Sequence, residues 1–347
     1  MLKRLMAKLR RSPFDFNTRE GRTIGDMVTA PLEQSGVDCM VVDVGARNGM
    51  MLLPDSYTRR ARLVGFEPNL EEYGKLVAGD TDAHKIGARI SPFKTEKYFP
   101  FALWDKEEDR TFYITKGPGA CTLLGAADQR VTNNMFLDYS SDLRHQSYQD
   151  LHTEVVGTQP VACQPLDALL EPNTVVDFLK MDVEGAEHQV LQGARQLLKR
   201  KGVLFIYSEF AALPYYKAHD VFGYQHALLT EHGYRLLDLD LGHLGYRRGA
   251  TDFSSTVDRS LIYGGDAFFA LDPDRNQLSR LDLQRLAAIS LSFGFISFAF
   301  ELLREAGFLS DNELMAIKDA VEKTWTVERL KKVWMQLPAR ARAVLHA

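Results

Sequence analysis

Three apolar runs that each close on a carboxylate constrain this chain more than any other feature. VVDVGARNG, from Val41 to Gly49, carries Asp43 and then turns at Gly45. LVGFEPN, from Leu63 to Asn69, closes on Glu67 before Pro68, and FLKMDVEGAEHQVLQGA, from Phe178 to Ala194, carries Asp182 and Glu184. An apolar run that stops at a glycine reads as a buried strand turning tightly into a helix. Gly45 and Gly49 let backbone N–H groups approach a ligand that a side chain would block. Glu67 follows about 20 residues later, the separation at which a carboxylate reaches a ribose diol. The pattern implies a cofactor that contains adenosine.

Strands and helices alternate from there. A leading helix is predicted over residues 26–38, then strands at Cys39–Val44 and Leu63–Phe66 and a helix over Asn69–Ala78. Lys97–Leu103 and Arg110–Thr115 read as strands, and GPGACTLL after them as a glycine-bearing loop. Residues 125–160 show no period and read as an insertion over the sheet. Val175–Met181 is the fourth strand of the main series, Glu187–Leu198 its helix and Val203–Tyr207 the fifth strand. A helix over 220–232 stops at Gly233, and Arg235–Leu239 and Ala267–Leu271 complete seven strands. Such alternation predicts an α/β fold: a doubly wound, mostly parallel seven-stranded sheet of Rossmann-like type. Ligands bind such sheets at the carboxyl ends of the strands, where Asp43, Glu67, Asp105, Asp182 and Glu209 all fall.

The rest of the chain sets the boundaries. Residues 1–25 form a basic N-terminal segment, 26–272 the nucleotide-binding domain, and 273–347 a helical C-terminal extension. MLKRLMAKLRR holds five basic residues and no acid, but lacks the apolar core and cleavage site of a signal peptide. It reads as a terminal helix, with peripheral membrane contact through residues 1–12 as the competing expectation. Leu286–Phe300 carries no charge but is too short for a span. It is expected to pack on the catalytic domain or in a homo-oligomer interface. The formal net charge of -4, with both signs mixed, excludes the footprint of a nucleic-acid binder. Three scattered cysteines, Cys39, Cys121 and Cys163, make neither a disulfide framework nor a metal motif. They point to a reducing, cytoplasmic setting, at the inner face of the membrane if the N-terminal helix docks there.

These residues resemble the FkbM-type methyltransferases, a branch of the class I S-adenosylmethionine-dependent methyltransferases. DVGARNG and GFEPNLEEYGKL look like the family's cofactor loop and Glu-Pro segment. FALWDKEEDRTFYI is similar to its third-strand region, GACTLL to a serine-rich loop, and PLDALL with FLKMDVEGAEHQVLQGA to its most distinctive run. The likeness covers roughly residues 38–272. It departs from the pattern between Ala78 and Lys97, which is long, and at Cys121 and Thr122, where serines are common. The resemblance implies S-adenosyl-L-methionine as cofactor. Asp43, Gly45, Ala46 and Gly49 would serve its methionine and ribose end, Glu67 and Pro68 its ribose, and Ala102, Leu103 and Asp105 its adenine. Asp182 would face the transferred methyl.

Methyl transfer to an alcohol needs an in-line acceptor and a group that takes its proton. Asp182, Glu184 and Glu209 are the candidate catalytic residues, with Glu187 a nearby companion. Glu184 and Glu187 equally suit the start of a helix, Asp182 equally suits a helix cap, and His188 reads as a helix-face residue. Asp182 and Glu209 alone offer a divalent cation an incomplete set, so no metal is assigned. The expected reaction is O-methylation of a hydroxyl on a sugar, a glycan or a secondary metabolite. Residues 116–160 and 211–260 carry no readable acceptor code. Two other classes compete: a nicotinamide-dependent oxidoreductase, although the G-x-G-x-x-G spacing is missing, and a non-catalytic scaffold that keeps the fold.

Overall fold

All six residues of β1 (Cys39–Val44) are buried, which a strand sustains only at the centre of a sheet covered on both faces. The computed structural model describes residues 19–336, apart from 134, 138–146, 148, 218 and 247–260. Residues 1–12, read as a terminal helix with membrane contact as the competing expectation, lie outside the described residues. Around β1 lie β2 (Ala61–Phe66) and β3 (Thr95–Phe99) on one side. The second sheet, placed against the carboxyl edge of the first, is built from β4 (Ala102–Leu103), β5 (Glu108–Thr115) and β7 (Val155–Gln164), in the order β4-β7-β5. Short β6 (Met135–Leu137) closes the far edge of the main sheet.

On the other side of β1 come β8 (Val176–Met181), β9 (Val203–Ala211), β11 (Leu261–Leu271) and β10 (Tyr234–Tyr246), giving the order 3-2-1-8-9-11-10-6. β1 pairs in parallel with β2 and β8, while β10 and β11 form an antiparallel hairpin. The chain winds outward through β3 and then restarts at β8, so the switch point lies between β1 and β8. Six of the seven expected main-series strands lie wholly in this sheet, the third contributes its first part as β3, and β6 is added.

The differences have local causes. The expected strand Lys97–Leu103 is split between the two sheets at Pro100, which has no N–H for a ladder. β7 escaped the sequence reading because its residues alternate between exposed and half-buried over most of its length, leaving little apolar period. The helix expected over Glu187–Leu198 breaks into two, Glu187–Gln192 and Arg195–Lys199. Between them Gly193 lies so close to the Trp104 carbonyl that a Cβ would meet the oxygen at 2.0 Å. The leading helix runs over Arg19–Gln34, earlier than expected.

The charge-free stretch after Arg285 is two helices, Arg280–Ser292 and Ile296–Ala306, separated at Gly294 with φ +85°. The first is buried from Leu283 to Ser292 and packs on the leading helix and on β8 and β9. Phe293 stacks on Phe178 and Phe205 of the sheet at centroid distances of 5.5 and 5.3 Å. Arg285 reaches through to Asp177 at 3.3 Å, whose other oxygen accepts from Met40 N. The extension therefore completes the core on this face. No helix among the described residues is long and apolar enough to cross a membrane.

Candidate active site

Strand register builds the floor of the site. The β1–β8 ladder sets Asp43 opposite Lys180, and β9 adds Tyr207 to the same row. Lys180 Nζ lies 3.1 Å from Asp43 Oδ1 and 3.5 Å from Asp182 Oδ2, and it donates to the Gly45 carbonyl at 3.0 Å. Burial opposes the lysine's charge, but Asp43 and Asp182 outweigh it and hold Lys180 above the usual lysine range. Burial pushes Asp43 upward, against the pull of Lys180.

Above that floor the strand ends turn outward around a cavity of about 280 Å³. Gly45 leaves β1 with φ +77°, and a Cβ there would meet the Asp182 carbonyl oxygen at 2.0 Å. Only glycine lets the two turns touch. The amides of Gly45 and Ala46 both donate to the Phe66 carbonyl, and Gly49 N donates to Ala46 O. The glycines thus supply shape and close approach rather than the free N–H donors expected of them.

Glu67 follows β2 and is 4% exposed. Its Oε1 accepts from Asn69 N at 2.9 Å, and Asn69 in turn caps the helix Leu70–Ala78 through its side chain. Burial raises the Glu67 carboxyl to about 7, with backbone hydrogen bonds from Asn69 and Arg47 opposing the shift.

The turn after β8 carries the second acidic group. Glu184 has a left-handed φ of +54°, a conformation that costs a non-glycine residue about 1 kcal/mol or more. Thr122 pins it by donating to the Glu184 carbonyl at 2.9 Å, so the GACTLL loop retains a hydroxyl where it matters. Glu187 is not free for chemistry: its Oε1 accepts from Val183 N and Gly185 N. His188 bonds to Gln192 on its own helix, as a helix-face residue would. One oxygen each of Asp182, Glu184 and Glu209 lies within 4.8 Å of the others. Glu184 and Glu209 are half-buried as residues, yet one oxygen of each is sealed from solvent without a hydrogen-bond partner. Burial first, and then the neighbouring carboxylates, push both well above the usual range.

Of the expected residues, Gly45, Gly49, Glu67, Pro68, Ala102, Leu103, Asp182 and Glu184 line the cavity. Asp43 and Ala46 sit beneath it, fully buried. Glu209 joins Asp182 and Glu184 from β9 at the edge. Asp105 does not arrive: Trp104 is buried under the Arg110 guanidinium at 4.1 Å, and the next residue emerges into solvent. Lys180, Asn69 and Tyr207 line the cavity as well, though no motif announces them. A lysine inside an otherwise apolar run was the signal for the first, since a buried ammonium requires a partner.

A family model for the methyltransferase FkbM domain matches residues 43–236, from the floor carboxylate Asp43 through β9 and into β10. The chain belongs to the FkbM methyltransferase family. No curated protein matches it significantly. Among solved structures, the magnesium protoporphyrin IX methyltransferase of Synechocystis PCC 6803 with bound SAM overlaps at a TM-score of 0.31 and 9% identity, covering 72% of this chain and 78% of that one. A proposed tRNA methyltransferase of Streptococcus pneumoniae overlaps at 0.28 and 11%, covering 85% and 98%. Likenesses at those levels carry no weight for the chemistry of this FkbM-family methyltransferase, which rests on its own residues.

Proposed function

We propose that this protein transfers the methyl group of S-adenosylmethionine to a hydroxyl, on a sugar, a glycan or a secondary metabolite. The observation that carries this reading is that Glu67 and Asp182 both line one cavity at the ends of β1, β2 and β8. The residues fit the cofactor. Glu67 offers a buried carboxylate, without a lysine or arginine ion pair among the described residues, to a ribose diol. Ala102 and Leu103 offer an apolar wall for the adenine, and the Gly45 turn leaves room for the methionine end.

When bound, the cofactor supplies an electrophilic methyl group on a positively charged sulfur. The chain's own contribution is to orient and to accept a proton. The residues around Asp182 would hold the acceptor hydroxyl in line with that methyl group. The hydroxyl proton passes to a carboxylate of the Asp182–Glu184–Glu209 group. Lys180 holds Asp182 from below and keeps it in place.

Calorimetry with S-adenosylhomocysteine and with NAD separates this reading from hydride transfer: the first is expected to bind and the second not. Labelled cofactor incubated with cell-envelope and small-molecule extracts should then mark the acceptor by the added mass of one CH₂. No affinity for S-adenosylhomocysteine would overturn the proposal.

A further inference from the structure

Tyr207 lines the cavity, and the side chains that fix its ring come from beyond the family match, which ends at residue 236. In the β8–β9 ladder it pairs with Lys180, whose ammonium reaches both Asp43 and Asp182. Residues paired across a ladder share a face of the sheet, so the phenol stands beside that lysine. Phe293 stacks on the Tyr207 ring, with 6.1 Å between centroids and the planes 19° apart. Phe268, its partner in the β9–β11 ladder, meets it edge-on at 5.3 Å and 74°. The Tyr207 hydroxyl hydrogen-bonds to the Asp266 carboxylate. A tyrosine gripped at its face, edge and tip keeps one orientation.

The grip on the face belongs to the C-terminal helices. Phe293 caps the helix Arg280–Ser292, and Gly294 then takes a φ of +85° that suits glycine and turns the chain. Phe293 also meets Phe178, Phe205 and Phe268 at 5.5, 5.3 and 5.5 Å, so one ring spans β8, β9 and β11. Phe295, past the turn, meets Phe205 and Phe268 at 6.2 and 5.7 Å. Leu286, Ile289 and Leu291 of the first helix are wholly buried and fill the core. Phe293 and Phe295 are only half-buried, which places them at the rim of that core, next to a residue of the cavity wall.

We propose that the C-terminal helices are a working part of the cofactor site, with Phe293 a positioning residue that acts through Tyr207 on the wall beside Asp182. The assignment rests on the cofactor reading made above. Cofactor binding and the packing of these helices are then coupled, and such coupling runs in both directions.

The test is calorimetry of the full-length protein with S-adenosylhomocysteine, at a temperature where melting curves show every variant folded. Phe293→Leu keeps the apolar bulk but loses the flat ring, and should weaken binding by about threefold to tenfold, the value of one aromatic pair. Phe293→Tyr, which keeps the ring, should restore it. Tyr207→Ala should also weaken binding, and adding Phe293→Leu to it should cost nothing further, because the second residue acts only through the first. Phe295→Leu disturbs the same aromatic group away from Tyr207 and should leave the affinity unchanged. In the reverse direction, bound S-adenosylhomocysteine should slow amide hydrogen exchange over residues 293–296. An affinity that Phe293→Leu leaves unaltered would overturn the inference, and so would a loss that Phe295→Leu matches or that adds in full to that of Tyr207→Ala. Absence of binding to the unaltered protein is a different result: it removes the cofactor reading itself, and this inference with it.

Discussion

Lys180 stands directly across the ladder from Asp43, with its ammonium 3.1 Å from a carboxylate that is wholly buried. The same ammonium bonds the Gly45 carbonyl and approaches Asp182. One side chain therefore ties the end of β1, the glycine turn and the turn after β8 into a single rigid floor.

Replacing that lysine should show it. Lys180→Met leaves Asp43 buried and uncompensated, a change that costs about 3–5 kcal/mol in comparable buried pairs. Chemical denaturation should record a loss of that order. The double variant Lys180→Met with Asp43→Asn should recover most of it, since no charge is then stranded.

With Glu67 holding the cofactor's ribose as proposed, cofactor affinity should depend on pH. Its carboxyl sits at about 7, above the ordinary 4.5, because it is buried. Ribose hydroxyls donate to the charged form, so affinity for S-adenosylhomocysteine should fall as pH drops below about 7, by up to about tenfold per pH unit. Stability of the free protein has the opposite sign. A carboxyl raised on folding contributes stability that is fully present below 4.5 and lost as pH rises through about 7. Calorimetry between pH 5.5 and 8.5 (on the order of one to two units either side of the transition) checks the first, and Glu67→Gln should flatten it.

Gly45→Ala tests the contact between the two turns. The left-handed φ costs an alanine about 1–2 kcal/mol by itself. The added Cβ would also press on the Asp182 carbonyl from 2.0 Å, so the turn must move. Methyl transfer should fall further than stability does, which parallel activity and melting measurements on one preparation would reveal.

Arg285→Met probes the C-terminal helices. It strands Asp177, which is wholly buried and pushed up to about 6 by burial against the pull of Arg285. A loss of about 3 kcal/mol or more is expected at neutral pH. It should shrink on acidification toward pH 5, as Asp177 takes up a proton and the stranded charge disappears. Melting temperatures across that range check it.

The alternating pattern, the glycine turn and the spacing from Gly45 to Glu67 were legible because each depends on a few neighbouring residues. The main strand series, the carboxylates after β2 and β8 and the family resemblance all came from such local signals. Asp105 misled because it follows an apolar pair at a strand end, just as Glu67 and Asp182 do. Only the packing of Trp104 under Arg110 turns it outward. β7 escaped because its exposed and half-buried residues leave no continuous apolar face to announce it.

The sequence by itself determined the element order, the turn chemistry and the identity of the carboxylates, since backbone propensity and side-chain period are written residue by residue. The tertiary structure decided which charges meet. Lys180 with Asp43, Arg285 with Asp177, and Asp182 with Glu184 and Glu209 depend on strand adjacency and register, which link residues more than a hundred positions apart or on separate strands. A shift of one residue in register reverses the face a side chain occupies. Those encounters are fixed only when the whole sheet closes.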